Sequence, residues 1–104
     1  MARFDVYTHP DPALRKKTPF LLDVQNTYID RIATRVVVPK RLAEHFPLPM
    51  RDLNPVFDIG GKSVVMDTSA IAAIPVSDLK RPAFKLDEQG AAIFAAPDLL
   101  FGAY

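Results

Sequence analysis

The sequence predicts a mainly β protein with one C-terminal helix, built as a small antiparallel barrel or sandwich. Ten prolines are spread along the 104 residues and separate short apolar runs, a pattern typical of short strands. A pair of glycines between two such runs indicates a hairpin, and an alanine-rich segment near the C-terminus has apolar residues at helical spacing. The length fits one domain with a modest core, so we expect residues 1–104 to form a single domain.

Three early runs are predicted strands. In the first, Phe4 and Val6 alternate with polar neighbours. The second run covers residues 20–25 and has one face more apolar than the other. The third is the β-branched block of residues 36–38, which predicts a strand buried on both faces and closed by Pro39.

A hairpin is the clearest local prediction. Residues 56–59 and 62–66 are apolar runs on either side of Gly60 and Gly61, and glycine readily supplies the positive φ angles of a tight hairpin turn. A further apolar segment follows and bends at Pro75, which brings the predicted total to five or six strands.

The C-terminal segment from Asp87 to Phe101 predicts a helix with Asp87 as its N-cap. The pairs Ile93/Leu100 and Phe94/Phe101 are each seven residues apart, which places their members on one stripe of a helix. Because proline removes a backbone donor, Pro97 predicts that the helix ends or kinks near Ala96, with a short turn after it.

Composition argues against several classes of protein. Thirteen basic and twelve acidic residues give a net charge of +1, without the basic excess typical of nonspecific nucleic-acid binders. The chain has no cysteine, and it shows neither a secretory signal nor an apolar run long enough to span a membrane. We therefore expect a cytoplasmic protein without disulfides, thiolate chemistry or membrane attachment.

No motif predicts catalysis. His9 and His45 lack metal-ligand spacing, and no serine has the surroundings of a nucleophile elbow. Arg35, beside Thr34, is the candidate for stabilising charge on a phosphodiester, but nothing assembles a general base around it. We expect a protein that is not an enzyme and needs no metal or organic cofactor.

Several segments together carry a resemblance that no single motif carries. They follow one another in the order and approximate spacing of the CcdB family, and they cover nearly the whole chain: residues 4–7, 20–25, 35–39, 53–60 and 72–75. The resemblance implies a fold related to SH3-like barrels, with a larger antiparallel sheet, a smaller one and a C-terminal helix, assembled as a homodimer.

The resemblance also implies a function. CcdB-like proteins are toxins of bacterial toxin–antitoxin systems that act in plasmid maintenance, and they inhibit DNA gyrase by binding its A subunit and trapping the complex with cleaved DNA. A cognate CcdA-like antitoxin neutralises the toxin, and the two together repress their operon. The toxin is expected to reach operator DNA through that complex alone. A member that keeps antitoxin binding and autoregulation but has lost poisoning is one alternative. A ribonuclease is another, because a related toxin fold cuts RNA.

The family's gyrase-binding residues can be carried over position by position. Two aliphatic residues after the second strand correspond to Tyr28 and Ile29, and a polar residue and a phenylalanine of the last helix correspond to Asp98 and Phe101. The remaining positions form the tail. The expected gyrase-binding set is therefore Tyr28, Ile29, Asp98, Phe101, Gly102, Ala103 and Tyr104.

The tail is where the sequence departs from the family. The best-known member ends in Trp-Gly-Ile, whereas this chain ends in Gly102-Ala103-Tyr104, so the tryptophan is absent. The aromatic anchor is then expected to come from Phe101 or Tyr104. The alternatives are that Phe101 packs the helix on the sheet, that Tyr104 is an incidental terminus, and that Tyr28 and Ile29 belong to a loop with one core contact.

Overall fold

The computed structural model describes residues 1–102, and within that range seven strands and one α-helix make up the fold. The strands form one antiparallel sheet that curls into a nearly closed barrel, which confirms the predicted fold class. Four short 3₁₀ turns connect them, at Ala43–His45, Thr68–Ala70, Val76–Asp78 and Asp87–Gln89. The elements are β1 (Asp5–Thr8), β2 (Phe20–Asp23), β3 (Thr34–Leu42), β4 (Val56–Ile59), β5 (Lys62–Met66), β6 (Ala72–Pro75), β7 (Phe84–Lys85) and α1 (Gly90–Leu100).

Strand β3 organises the sheet. The strand order is β4-β5-β3-β2-β1-β7, and β6 also pairs with β3. On the edge of β3 away from β2, residues 34–37 pair with β6 and residues 40–42 pair with β5. A nine-residue strand with two partners on one edge lets the sheet diverge into two arms. The sequence predicted five or six strands because β7 is two residues long and too short to show a pattern.

Both faces of the central strands are buried. Val38 lies in the main core with Phe20, Leu22 and Ile93, while Val37 packs in a second cluster with Tyr7, Leu21 and Leu79. The prediction that residues 36–38 form a strand buried on both faces is confirmed at Val37 and Val38. The expected end of the strand at Pro39 is wrong, because β3 continues through Pro39 to Leu42. The less apolar face of β2 is buried as well, because Asp23 on that face has a charged partner on β3.

The predicted hairpin is confirmed. Strands β4 and β5 pair with Ile59 opposite Lys62, and the turn residues Gly60 and Gly61 have φ angles of +57° and +81°. Both angles lie in the left-handed region of backbone conformation that residues other than glycine rarely adopt. Gly60 also faces the ring of Phe84, since a Cβ at Gly60 would lie 2.9 Å from the Phe84 Cζ.

Two predictions about the helix are wrong. Asp87 does not cap α1: it belongs to the preceding 3₁₀ turn, and the helix begins at Gly90 without a side-chain cap. Of the two outcomes predicted from Pro97, an end or a kink near Ala96, the end is wrong, because the helix continues through Pro97 to Leu100. Pro97 removes one backbone hydrogen bond, and the buried side chains of Ile93 and Ala96 hold the helix on the sheet despite that loss.

Candidate functional site

A buried ion pair supports the loop between β2 and β3 (residues 24–33). The Nε of Arg35 donates to Asp23 Oδ2 at 2.7 Å, and its Nη2 donates to Oδ1 at 2.8 Å. This two-point geometry suits a planar guanidinium and a carboxylate. Both side chains are almost completely buried, and the hydrogen bonds to Asp23 raise the pKa of Arg35. Arg35 is therefore a structural residue, and the ribonuclease alternative loses its candidate arginine.

The same network fixes the backbone of this loop. The carbonyl of Ile29 accepts hydrogen bonds from Arg35 Nη1 at 3.1 Å and from the Gln25 side-chain amide. The side-chain oxygen of Gln25, Oε1, accepts a hydrogen bond from the Val36 backbone amide at 2.9 Å. With its backbone tied to β3, the loop presents Tyr28, which is 90% exposed, and Ile29, which is 50% exposed.

An apolar cavity of about 300 Å³ lies between α1 and the end of β2. The helix contributes Phe94, Asp98 and Phe101 to its wall, and Val24 and Gln25 contribute from the other side. Gln25 thus connects the cavity to the loop that carries Tyr28 and Ile29, although neither of those two residues lines it. The cavity brings together two of the predicted residues, Asp98 and Phe101.

Arg3 joins the loop to the helix. Its guanidinium carbon lies 4.5 Å from the centre of the Phe94 ring, a cation–π arrangement, and its Nε donates to the carbonyl of Val24 at 3.1 Å. Its backbone amide donates to Thr27 Oγ1 at 3.1 Å. The two parts of the site, α1 and the β2–β3 loop, are therefore tied to one another by a single residue.

Phe4 forms the floor beneath the helix. It has a φ angle of +76°, which is unusual for a residue with a side chain, and its amide donates to the Asp23 carbonyl at 2.8 Å. Its ring meets the Phe94 ring edge-on at 5.4 Å. The first residue of α1 is Gly90, where a Cβ would lie 3.2 Å from the Phe4 ring, so a small residue lets the helix start close to the sheet.

Helix α1 and the residue that follows it expose apolar surface. Phe101 is 72% exposed and Phe94 is 45% exposed. The alternative that Phe101 packs the helix on the sheet is therefore wrong. Gly102 follows with a φ of +78°, which is typical of a glycine that ends a helix, and apart from its neighbours in the chain no residue in the range 1–102 comes within 4 Å of its Cβ position. Ala103 and Tyr104, also predicted to contact gyrase, lie outside the described residues.

Sequence reasoning missed two residues of this site. Phe94 was recognised as a stripe partner of Phe101, but its exposure was not predicted. Arg3 carried no signal, since its role depends on a ring 91 positions later in the chain. Among residues 1–102, no group of three His, Cys, Asp or Glu side chains could hold a metal ion. In the same range, no helix has the length and apolar character needed to cross a membrane.

Comparison with known proteins identifies the family. The family model described as CcdB protein matches residues 3–102 of the chain. The chain belongs to the CcdB family. Members of this family are toxins of toxin–antitoxin systems and generally act by poisoning DNA gyrase rather than by catalysis, which implies an antitoxin partner. A search of the curated proteins finds none that matches this sequence.

Proposed function

We propose that this CcdB family member poisons DNA gyrase by binding its A subunit and trapping the enzyme with cleaved DNA. The contact surface consists of the last turn of α1 and the β2–β3 loop. The observation that carries the proposal is the exposure of Phe101, 72%, at the rim of an apolar cavity. An aromatic side chain held in solvent at the end of a packed helix has no role in the core and is the type of residue that anchors interfaces.

Rigidity supports the same surface. The helix is held by buried Ile93 and Ala96, and the loop backbone is held by Gln25 and Arg35. Side chains presented on a preorganised surface lose less conformational entropy on binding than side chains of a mobile loop. Tyr28 and Ile29 therefore suit a second contact region beside Phe101, with Asp98 supplying a polar contact in between.

Further partners are proposed from the family: a second copy of the chain, an antitoxin and, through the antitoxin, operator DNA. We propose that the chain acts as a homodimer, with the two copies meeting near their C-terminal helices, because α1 leaves Phe94 and Leu99 partly exposed. A cognate CcdA-like antitoxin would neutralise the dimer and repress the operon together with it, and operator DNA would be reached through the antitoxin. Both proteins would then act in the cytoplasm.

One observation favours a second candidate function. Gly102 corresponds to the family's near-terminal tryptophan when the tails are aligned without gaps, and apart from its chain neighbours no side chain of residues 1–102 lies within 4 Å of its Cβ position. Glycine offers almost no contact area, so a protein with this ending has a smaller aromatic surface for gyrase. The second candidate is a toxin-like regulator that binds its antitoxin and represses the operon without poisoning gyrase.

Expression in the host separates the two candidates. The chain is expressed with and without the neighbouring antitoxin gene, and growth and cleaved gyrase–DNA complexes are scored. Poisoning predicts growth arrest and accumulation of cleaved complexes in the absence of the antitoxin, and rescue by its presence. Normal growth without cleaved complexes, in cells that contain folded toxin able to bind antitoxin, would support the regulator instead.

A further inference from the structure

The main core of the barrel contains a lysine. Lys40 lies on β3 two residues after Val38, and therefore points to the same side of the strand, into the main hydrophobic core. Its relative exposure is 0%, although lysine is almost never fully buried without a partner. The surrounding strands bring apolar side chains against it: Phe20 of β2 and Met66 of β5 are its register partners, and Phe57 of β4 covers its end.

The amine of Lys40 has no polar partner in the part of the chain that the structure describes. Among residues 1–102, no hydrogen-bond acceptor or carboxylate contacts its Nζ, which faces the Phe57 ring 3.5 Å from the ring centroid. A charged ammonium taken out of water without a counterion is strongly destabilised. A cation–π interaction with the face of an aromatic ring offsets only part of that destabilisation.

The charged groups of the neighbouring strands face elsewhere. On β3 itself, Arg35 and Arg41 alternate to the opposite face, where Arg35 pairs with Asp23 of β2 and Arg41 pairs with Asp67. On β4, Asp58 is exposed on the side away from Phe57, and on β5, Lys62 lies at the solvent-exposed start of the strand. Loss of hydration is accordingly the one cause that lowers the pKa of Lys40 from 10.5 to about 6.

We propose that Lys40 links folding to proton release: the chain folds with a neutral amine at this position, and acidification weakens the fold. The unfolded chain exposes Lys40 to water, where it keeps its proton up to a pH near its ordinary pKa of 10.5. The folded chain holds the proton only below about pH 6. Between these two values the unfolded state binds one more proton, so stability rises with pH across this window and is lowest at its acidic end.

The consequence is a toxin whose stability changes with pH near neutrality. One proton of difference per chain changes the folding equilibrium constant, expressed per chain, about tenfold per pH unit. Acidification from pH 9 to pH 7 therefore lowers that constant roughly 100-fold through this one side chain. This property belongs to the fold alone and does not depend on which partner the protein binds.

Urea unfolding at pH 7, 8 and 9, at constant ionic strength and protein concentration, tests the proposal. The wild-type folding constant is expected to rise about tenfold per pH unit. Lys40→Met, which keeps an unbranched apolar chain as far as the ε position and removes the amine, is expected to abolish most of that rise. Lys62→Met removes an exposed lysine from the adjacent strand β5 and is expected to preserve it.

Two results would overturn the proposal: a wild-type folding constant that is flat between pH 7 and 9, or a slope that Lys40→Met retains. If Lys40→Met does not fold, proton uptake by the wild-type protein decides. Unfolding it in weakly buffered urea at pH 8 should take up about one proton per chain. The absence of uptake would refute the linkage.

Discussion

Arg35 donates hydrogen bonds to both carboxylate oxygens of Asp23, and the pair lies buried between β2 and β3 beneath the loop that carries Tyr28 and Ile29. A third nitrogen of the same guanidinium holds the Ile29 carbonyl. One side chain therefore satisfies a buried charge and fixes part of the proposed gyrase-binding surface.

Arg35→Met is expected to destabilise the protein by about 3–5 kcal/mol, because it leaves the Asp23 carboxylate buried without its partner. Urea unfolding measures the loss. Arg41→Met is the matched control: Arg41 lies on β3 like Arg35 and also pairs with an aspartate, Asp67, but its side chain is 48% exposed. We expect this control to cost about 1 kcal/mol or less. Equal effects of the two substitutions would contradict the structural role of the buried pair.

The two turn glycines are expected to differ in their tolerance of alanine. Gly61→Ala introduces a side chain at a φ of +81° with open space around it, so backbone strain of about 1 kcal/mol is the expected loss. Gly60→Ala adds contact with the Phe84 ring at 2.9 Å and should cost more. Thermal melts of both variants check the order, and a Gly60→Ala variant no less stable than Gly61→Ala would refute the close packing of Phe84 on the hairpin.

Stability is expected to fall at strongly alkaline pH because of Tyr7. Burial, and then the nearby Asp5 and Asp23 carboxylates, raise the pKa of Tyr7 from 10.0 to about 12. A raised pKa in the folded state stabilises the protein below the unfolded value, and this contribution is lost as pH rises from about 10 to about 12. Tyr7→Phe should flatten the stability profile in that window, whereas Tyr28→Phe, at a 90% exposed position, should leave it unchanged. A loss that Tyr7→Phe retains would show that another group causes it.

The homodimer is a separate prediction. Light scattering at micromolar concentration is expected to give about twice the chain mass of 11.6 kDa. Leu99→Ser, at a partly exposed position of α1 outside the cavity, should shift the equilibrium toward the monomer, and Val56→Ser, at an exposed position on edge strand β4, should not. A wild-type protein that remains at 11.6 kDa would contradict the assembly.

Local patterns predicted the parts of the fold that depend on neighbouring residues. Gly60 and Gly61 predict the hairpin because the positive φ angles of its turn are a local requirement. Val37 and Val38 predict a strand because β-branched residues favour strands, and their consecutive positions indicate burial on both faces. The helix prediction failed at Pro97 because the sequence shows the loss of one local hydrogen bond but not the burial of Ile93 and Ala96 against the sheet, which holds the helix in place.

Features that depend on distant residues could not be predicted from patterns. Lys40 interrupts an apolar strand and would ordinarily be assigned to solvent, and its burial follows from the position of Phe57. Arg35 was considered for its charge, but its partner Asp23 lies on another strand. Arg3 and Phe94 meet only because the segment before β1 lies against α1. The candidate site was therefore identified through family resemblance at Asp98 and Phe101, while its supporting residues required the structure.

Binding of the purified protein to the A subunit of its own host's gyrase tests the central claim most directly. Wild-type protein should bind, and Phe101→Ala should weaken binding about thirtyfold or more, the usual effect of truncating an aromatic anchor at about 2 kcal/mol. Tyr104→Ala in parallel tests the second aromatic of the tail. Leu48→Ala, an 84% exposed residue outside the proposed surface, is the control. If the unfolding curves of Phe101→Ala match those of the wild type, the loss of binding to gyrase A is assigned to the interface and not to misfolding. A wild-type protein that captures its antitoxin but not gyrase A would contradict the account.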